Sequence, residues 1–269
     1  MQYKTFLPLA LCAVLLLSAC GKQAEEAAVK PPEPVDKLYN DAMGKLQGGE
    51  YKAAIAGFDD VERLYSYSPW ALRAEIMSAY AAYRSHQYDT ALSSIERFVK
   101  QHPDNSNTPY AFYLKAMCYY EQITDVGRDQ KITTQASQAL SDLINRFPDS
   151  EYARDARIKL DLVIDHLAGK EMEIGRYYEK HQEYLAAINR FRTVVEKYQT
   201  TSHTPEALHR LVECYLKLGA EDQAKRYAAV LGYNYPQSSW YRDSYALMNG
   251  QSLPPEPKKK GLINKLIPF

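Results

Sequence analysis

The chain has 269 residues, of which 46% are hydrophobic and 25% charged, enough apolar material to bury a sizeable core. Its 33 basic residues balance 33 acidic ones, so nothing in the charge points to nucleic acid, which normally demands a basic face. Tyrosine outnumbers phenylalanine 23 to 7, so much of the aromatic packing falls to rings that carry a polar tip.

In chain order, Lys4 gives a basic start and Phe6 to Leu17 form an apolar run too short to span a bilayer. This is the layout of a signal peptide over residues 1–19. LSAC, Leu17 to Cys20, then sets small residues directly before a cysteine. It resembles the lipobox of bacterial lipoproteins, which implies cleavage before Cys20 and acylation of its thiol and new amino terminus. Gly21, where aspartate would be a retention signal, implies the outer membrane as destination. Several acyl chains make a stable anchor, since one alone binds only marginally. Residues 20–35 contain three prolines and few large apolar side chains, and read as a flexible linker.

The body, residues 36–250, is built on a returning frame. YKAAIAGF (Tyr51 to Phe58), YDTALSSI (Tyr88 to Ile95) and YLAAINRF (Tyr184 to Phe191) each place alanine four residues before a large apolar side chain. On a helix that is one face, where a small residue admits a neighbouring helix and a large one fills the gap. Weaker copies occur at Ala136 with Leu140 and at Ala224 with Ala228. Eleven residues beyond each alanine stands a ring: Tyr65, His102, Phe147, Tyr198 or Tyr235. Ser68-Pro69, Thr108-Pro109 and Thr204-Pro205 predict a hydroxyl N-cap followed by proline at the first helical position.

Small-x3-large repeats with proline between helix pairs follow the tetratricopeptide pattern, whose period is about 34 residues. The alanines are 37, 45, 51 and 37 residues apart. Two insertions account for the larger gaps. Ile123 to Thr133 is a polar loop between the helices of the third pair, and roughly Glu151 to Leu167 extend the helix before the fourth frame, with Gly169 the expected place for a bend. The predicted fold class is all-α, a right-handed solenoid of five helix-turn-helix repeats: repeats one to three over 36–148, and the long helix, repeats four and five and a cap over 149–250. The tail, 251–269, is proline-rich and then basic and amphipathic: Lys258 to Lys260 precede Leu262, Ile263, Leu266 and Ile267, which share a helical face. It reads either as a disordered tail or as a segment for an anionic leaflet.

Catalytic and metal-binding patterns are missing from the sequence. Cys118 and Cys214 fall nine residues after their prolines, the slot of Ser78 in repeat two, so they read as small buried residues two repeats apart, too distant for a disulfide. The six histidines form no HExxH, no glycine-rich phosphate loop occurs, and no carboxylate pair stands out. The expectation is a protein with no cofactor, no metal and no enzymatic activity. A helix-pair solenoid offers instead a concave face lined by the first helix of each pair. Here that predicts Tyr39 and Met43, then Arg73, Ile76, Tyr80 and Tyr83, then Tyr113, Ala116 and Tyr120, a tyrosine-rich groove suited to peptide or serving simply as core.

Together, the lipobox, five repeats, RFPDSEYARDA (Arg146 to Ala156), GRYYEKHQEYLAAINR (Gly175 to Arg190) and SPWALRAEIMSAYAAY (Ser68 to Tyr83) resemble the BamD (ComL) family of β-barrel assembly lipoproteins over residues 17–245. The resemblance implies a lipid-anchored protein at the periplasmic side of the outer membrane. It implies that the first three repeats receive unfolded outer-membrane protein chains, that the last two dock BamA and companion Bam lipoproteins, and that Arg190 pairs with an acid of BamA. The alternative is another tetratricopeptide scaffold lipoprotein acting in peptidoglycan metabolism, division or competence. A hydrolase or transglycosylase on a helical superhelix would need a catalytic glutamate in a sugar-sized cleft.

Overall fold

A computed structural model describes residues 33–251; the lipobox with Cys20 and all but the first residue of the 251–269 tail lie outside the described residues. Among them there are eleven helices and no strand. The first pair is α1 (Val35–Gln47) and α2 (Tyr51–Leu64), the second α3 (Pro69–Arg84) and α4 (Tyr88–Gln101), the third α5 (Thr108–Tyr120) and α6 (Lys131–Arg146). Then come α7 (Glu151–Lys180) with α8 (Tyr184–Lys197), α9 (Thr204–Lys217) with α10 (Glu221–Asn234), and the cap α11 (Ser239–Met248). Five helix pairs and a cap are the tetratricopeptide architecture that the repeat frame specifies.

The frame works through contact. Ala54, Phe58 and Val61 on α2, Ala91, Ile95 and Phe98 on α4, and Ala136, Leu140 and Leu143 on α6 are all 0% exposed, as are Ala187, Phe191 and Val194 on α8 and Ala224 and Leu231 on α10. The alanine lets the partner helix approach, and the larger residues four and seven positions further along fill the space beside it. Neighbouring first helices also meet one another: α1 touches α3, α3 touches α5 and α5 touches α7. They therefore form the tighter, inner side of the solenoid.

The five rings beyond the frame all occupy one slot. Tyr65, His102, Phe147, Tyr198 and Tyr235 are the C-cap residues of α2, α4, α6, α8 and α10, each with φ near −130° and its N–H bonded back into the helix. The hydroxyl starts behave differently from the expectation. Ser68 does cap α3, accepting from the Ala71 N–H at 3.3 Å. Thr108 and Thr204 are instead the first helical residues, buried, and their hydroxyls donate backwards to the His102 carbonyl (2.8 Å) and the Tyr198 carbonyl (3.1 Å). A threonine there ties the end of one pair to the start of the next, satisfying a carbonyl that the finished helix leaves open.

Helix α7 joins two cores. Ala156 and Val163 pack with Phe112, Leu140 and Leu143, whereas Ala168 and Met172 pack with Phe191, Leu211 and Cys214. The helix runs through Gly169 unbroken, so the bend expected there has no break in the helix to support it. The site is close-packed: a Cβ at Gly169 would come within 3.3 Å of His203 Nε2. The 123–133 loop lies on the same helix, with Lys170 Nζ donating to the Gly127 carbonyl at 2.9 Å. Cys118 and Cys214 are free and fully buried, and burial pushes the Cys118 thiol up to about 12.

At Gly175 the closest approach is tighter still, since an added Cβ would meet the buried Phe191 ring at 2.4 Å. Gly175→Ala is expected to destabilise the protein by about 2 kcal/mol through overpacking. Gly44→Ala, on α1 with open space around it, should stabilise slightly through helix propensity. Denaturant unfolding of the two variants reads the difference; equal effects would disprove the packing account of Gly175.

Candidate functional site: a tyrosine-lined inner face

The inner side of repeats one to three is assembled from α1, α3, α5 and the start of α7, because only those helices approach one another there. Tyr39 packs against Phe58 (ring centroids 5.6 Å) and Trp70 (5.0 Å), with the Arg73 guanidinium 5.4 Å over the Trp70 ring. Tyr80 and Tyr83 lie 6.2 Å apart, and Tyr83 and Tyr88 the same. Tyr152 of α7 meets Tyr110 at 5.4 Å and Tyr113 at 5.3 Å. Lys159 places its ammonium 5.5 Å over Tyr120.

The tyrosine rings are half-buried, and two of their hydroxyls are committed to acids. Tyr113 donates to Asp155 Oδ2 at 2.7 Å and Tyr83 to Glu121 Oε1 at 3.2 Å. Burial, and then the adjacent Glu121 carboxylate, push the Tyr83 phenol up to about 12. Burial raises Tyr39, Tyr88, Tyr110, Tyr113 and Tyr152 as well. Every one of these rings therefore stays a neutral hydrogen-bond donor at ordinary pH.

The predicted groove residues divide on inspection. Tyr39, Met43, Tyr80, Tyr83, Tyr113 and Tyr120 are half-buried, and Arg73 is exposed. Ile76 is corrected: although it shares a face of α3 with Tyr80 and Tyr83, it is 5% exposed and packs in the core with Ala79, Ile95 and Leu114, because its short aliphatic side chain is covered where the longer rings reach the surface. Ala116 is likewise fully buried. Sequence reading missed Tyr51, Arg84, Tyr88, Tyr110, Glu121, Tyr152 and Asp155. Tyr51 and Tyr88 were in view as the first letters of the repeated frame, and Tyr152 stands inside RFPDSEYARDA.

Where α7 faces α9, repeats four and five present an ion-pair network. The backbones of α7 and α9 approach less closely than those of α5 and α7, and long side chains span the gap. Arg176 reaches Glu206 at 3.1 Å, and Arg210 reaches Glu213 (2.8 Å), Glu206 (3.5 Å) and Glu179 (3.7 Å). His209, 2% exposed, sits 2.8 Å from the Ser244 hydroxyl and 3.4 Å from Glu213, fixing α11 to α9, and burial holds it below the usual imidazole range. Arg190 on α8 donates to Glu171 Oε2 on α7 at 3.2 Å, with 42% of its side chain exposed.

Elsewhere, the buried Glu75 carboxylate lines a groove of about 670 Å³ on α2, α3 and α4 and is held by Arg97 (3.1 Å) and His102 (3.6 Å). Among the described residues no group of histidine, cysteine and acidic side chains is arranged to hold a metal ion, and no helix is long and apolar enough to cross a membrane.

An all-α solenoid with an aromatic inner face at one end and a charged, cross-braced other end defines a tetratricopeptide scaffold. Its sequence then places it more narrowly. The family YfiO, described as outer membrane lipoprotein, matches residues 31–231. The chain is 49% identical over 253 residues to the outer membrane protein assembly factor BamD of Caulobacter vibrioides, covering 93% of this chain and 83% of the relative. It is 43% identical to that of Rickettsia prowazekii, covering 87% and 92%. It is 34% identical to that of Neisseria meningitidis serogroup A, covering 83% and 89%. The chain belongs to the BamD family of outer-membrane protein assembly factors.

One group in the charged end has a measurable pH signature. Burial, opposed by Arg210 and assisted by Glu213 and Glu206, pushes Glu179 up to about 7 from 4.5. A carboxyl whose folded pKa is raised contributes stability that is complete below its unfolded pKa and is lost as pH rises through about 7. Glu179→Gln, which cannot ionise, should therefore raise the melting temperature at pH 8 and change it little at pH 4. Thermal unfolding by circular dichroism at the two pH values checks this; an equal shift at both would contradict it. His209 titrates with the opposite sign in both proteins, so comparing variant with wild type removes its contribution.

Proposed function

We propose that, as an assembly factor, this chain works without enzymatic chemistry, as a lipid-anchored holder facing the periplasm. Its tyrosine face receives unfolded outer-membrane protein chains, and its charged end docks BamA and companion lipoproteins. The observation that carries the reading is the division of surface chemistry along one solenoid. Half-buried tyrosines with fixed hydroxyl donors occupy the inner face of repeats one to three. Ion pairs brace repeats four and five. Aromatic rings give contact area at little entropic cost, and hydroxyls adapt to varied backbones, which suits an unfolded chain of no fixed sequence. The anchor rests on LSAC and Cys20.

Arg190 is the docking residue in this reading. Its guanidinium is half-exposed and spends one donor on Glu171, leaving others for a partner's carboxylate. Glu171 then orients the arginine through one ion pair while leaving its other donors open.

Two measurements test the halves separately. Arg190→Glu should abolish recovery of BamA in a detergent pull-down from outer membranes, whereas Glu171→Gln, which frees the arginine, should retain it; recovery by Arg190→Glu at physiological salt rejects the docking role. For the inner face, Tyr80→Ala or Tyr120→Ala should weaken binding of an aromatic-rich peptide by about 1 kcal/mol or more, with the helical melt nearly unchanged. A drop of many degrees in that melt would instead assign the rings to the core.

A further inference from the structure

The tyrosine face holds a cation, Arg84, that no acid among the described residues neutralises. Arg84 closes α3 and is exposed. Its Nη1 donates to the Tyr80 hydroxyl at 2.9 Å and its Nη2 to the Tyr51 hydroxyl at 3.2 Å. The guanidinium lies 5.8 Å from the Tyr80 ring centroid and 5.7 Å from that of Tyr51. Neutral phenols orient a guanidinium without discharging it. Among the described residues no carboxylate comes within 4.0 Å of Arg84, whereas Arg97, Arg176, Arg190 and Arg210 all have one.

Arg84 opens onto a cavity of about 620 Å³. Tyr83 and Tyr88 supply aromatic wall, and His86 forms the turn beneath it with φ of +59°, unusual for a residue with a Cβ. The His86 ring is held 2.8 Å from the Tyr88 hydroxyl, so that turn is fixed by a side chain on the cavity wall. Glu121 lines the cavity too, but its carboxylate accepts from Tyr83 and stays outside ion-pair distance of Arg84.

A guanidinium has five N–H donors, and the tyrosines occupy two, leaving three for a planar acceptor. Glu121 on the same wall disfavours a polyanion, so the site suits a single carboxylate. The rings beside it suit an apolar or aromatic side chain on the same residue or its neighbour. We propose that Arg84, seated on Tyr51 and Tyr80, is the carboxylate-recognition point of the inner face, binding one peptide carboxylate next to an aromatic or apolar side chain. This rests on the reading of that face as a holder of unfolded chains and adds a fixed polar anchor to it. The carboxylate comes either from a chain terminus or from an aspartate or glutamate.

The test uses the full-length protein and a short fluorescein-labelled peptide of alternating aromatic and polar residues, followed by anisotropy. The peptide is made as the free acid, as its C-terminal amide, and as an amide carrying one aspartate beside its last aromatic residue. Wild type is expected to bind the free acid about tenfold more tightly than the plain amide, the scale of a charge-assisted bond. Arg84→Gln should bind acid and plain amide alike, at the wild-type affinity for the amide, and Arg84→Lys should keep part of the preference. The aspartyl amide distinguishes the source: matching the free acid supports recognition of any carboxylate, and matching the plain amide supports recognition of the terminus. No preference in wild type, or a preference that persists in Arg84→Gln, overturns the proposal. If the free acid binds in an Arg84-dependent way and Tyr120→Ala has no effect on any peptide, the broader groove reading fails while the carboxylate site stands. No binding by any peptide removes both.

Discussion

Five alanines with no exposed surface set the spacing on which everything else in this protein depends. At Ala54, Ala91, Ala136, Ala187 and Ala224 the second helix of each pair is pressed against its neighbours. A larger side chain at any of them would force the pair apart in an interior packed to crystal-like density. Because that contact is so close, the first helices are brought together on the inner side, and rings too large to bury fully remain there. The tyrosine face is what remains at the surface after the alanines have satisfied the core.

Helix α7 makes one body of two cores. About 45 Å of continuous helix contributes Tyr152, Asp155 and Lys159 to the inner face and Arg176 and Glu179 to the ion-pair network. The two surfaces differ because the spacing differs. Where first helices approach closely, rings and hydroxyls fill the gap; where α7 and α9 stand further apart, only long charged side chains can reach across. The surplus residues that lengthened this helix in the sequence are thus the same residues that connect the two kinds of surface.

Much of the fold was legible because its constraint is periodic. The small-x3-large frame, the ring after each second helix and the proline starts located all five pairs. What escaped was whatever depends on direction rather than spacing. Thr108 and Thr204 look like N-caps in sequence, yet their hydroxyls point backwards to the preceding helix. Ile76 shares a face of α3 with Tyr80 and Tyr83, yet it is covered where their longer rings reach the surface. Gly169 reads as a flexible point, whereas it lies inside continuous helix with the His203 side chain packed close to it. The inner-face residues from other pairs, such as Tyr152 and Glu121, could not be joined to Tyr113 and Tyr83 without knowing how the repeats stack.

The phenols of the inner face have an implication for how the protein meets a changing medium. All six whose titration is displaced, from Tyr39 to Tyr152, move away from neutrality toward the alkaline side. Glu179 at the far end moves toward it. A shift to mild alkalinity thus leaves the phenol donors of one end intact while altering the bracing of the other. One solenoid carries an inner face whose phenol donors persist and an ion-pair network that titrates.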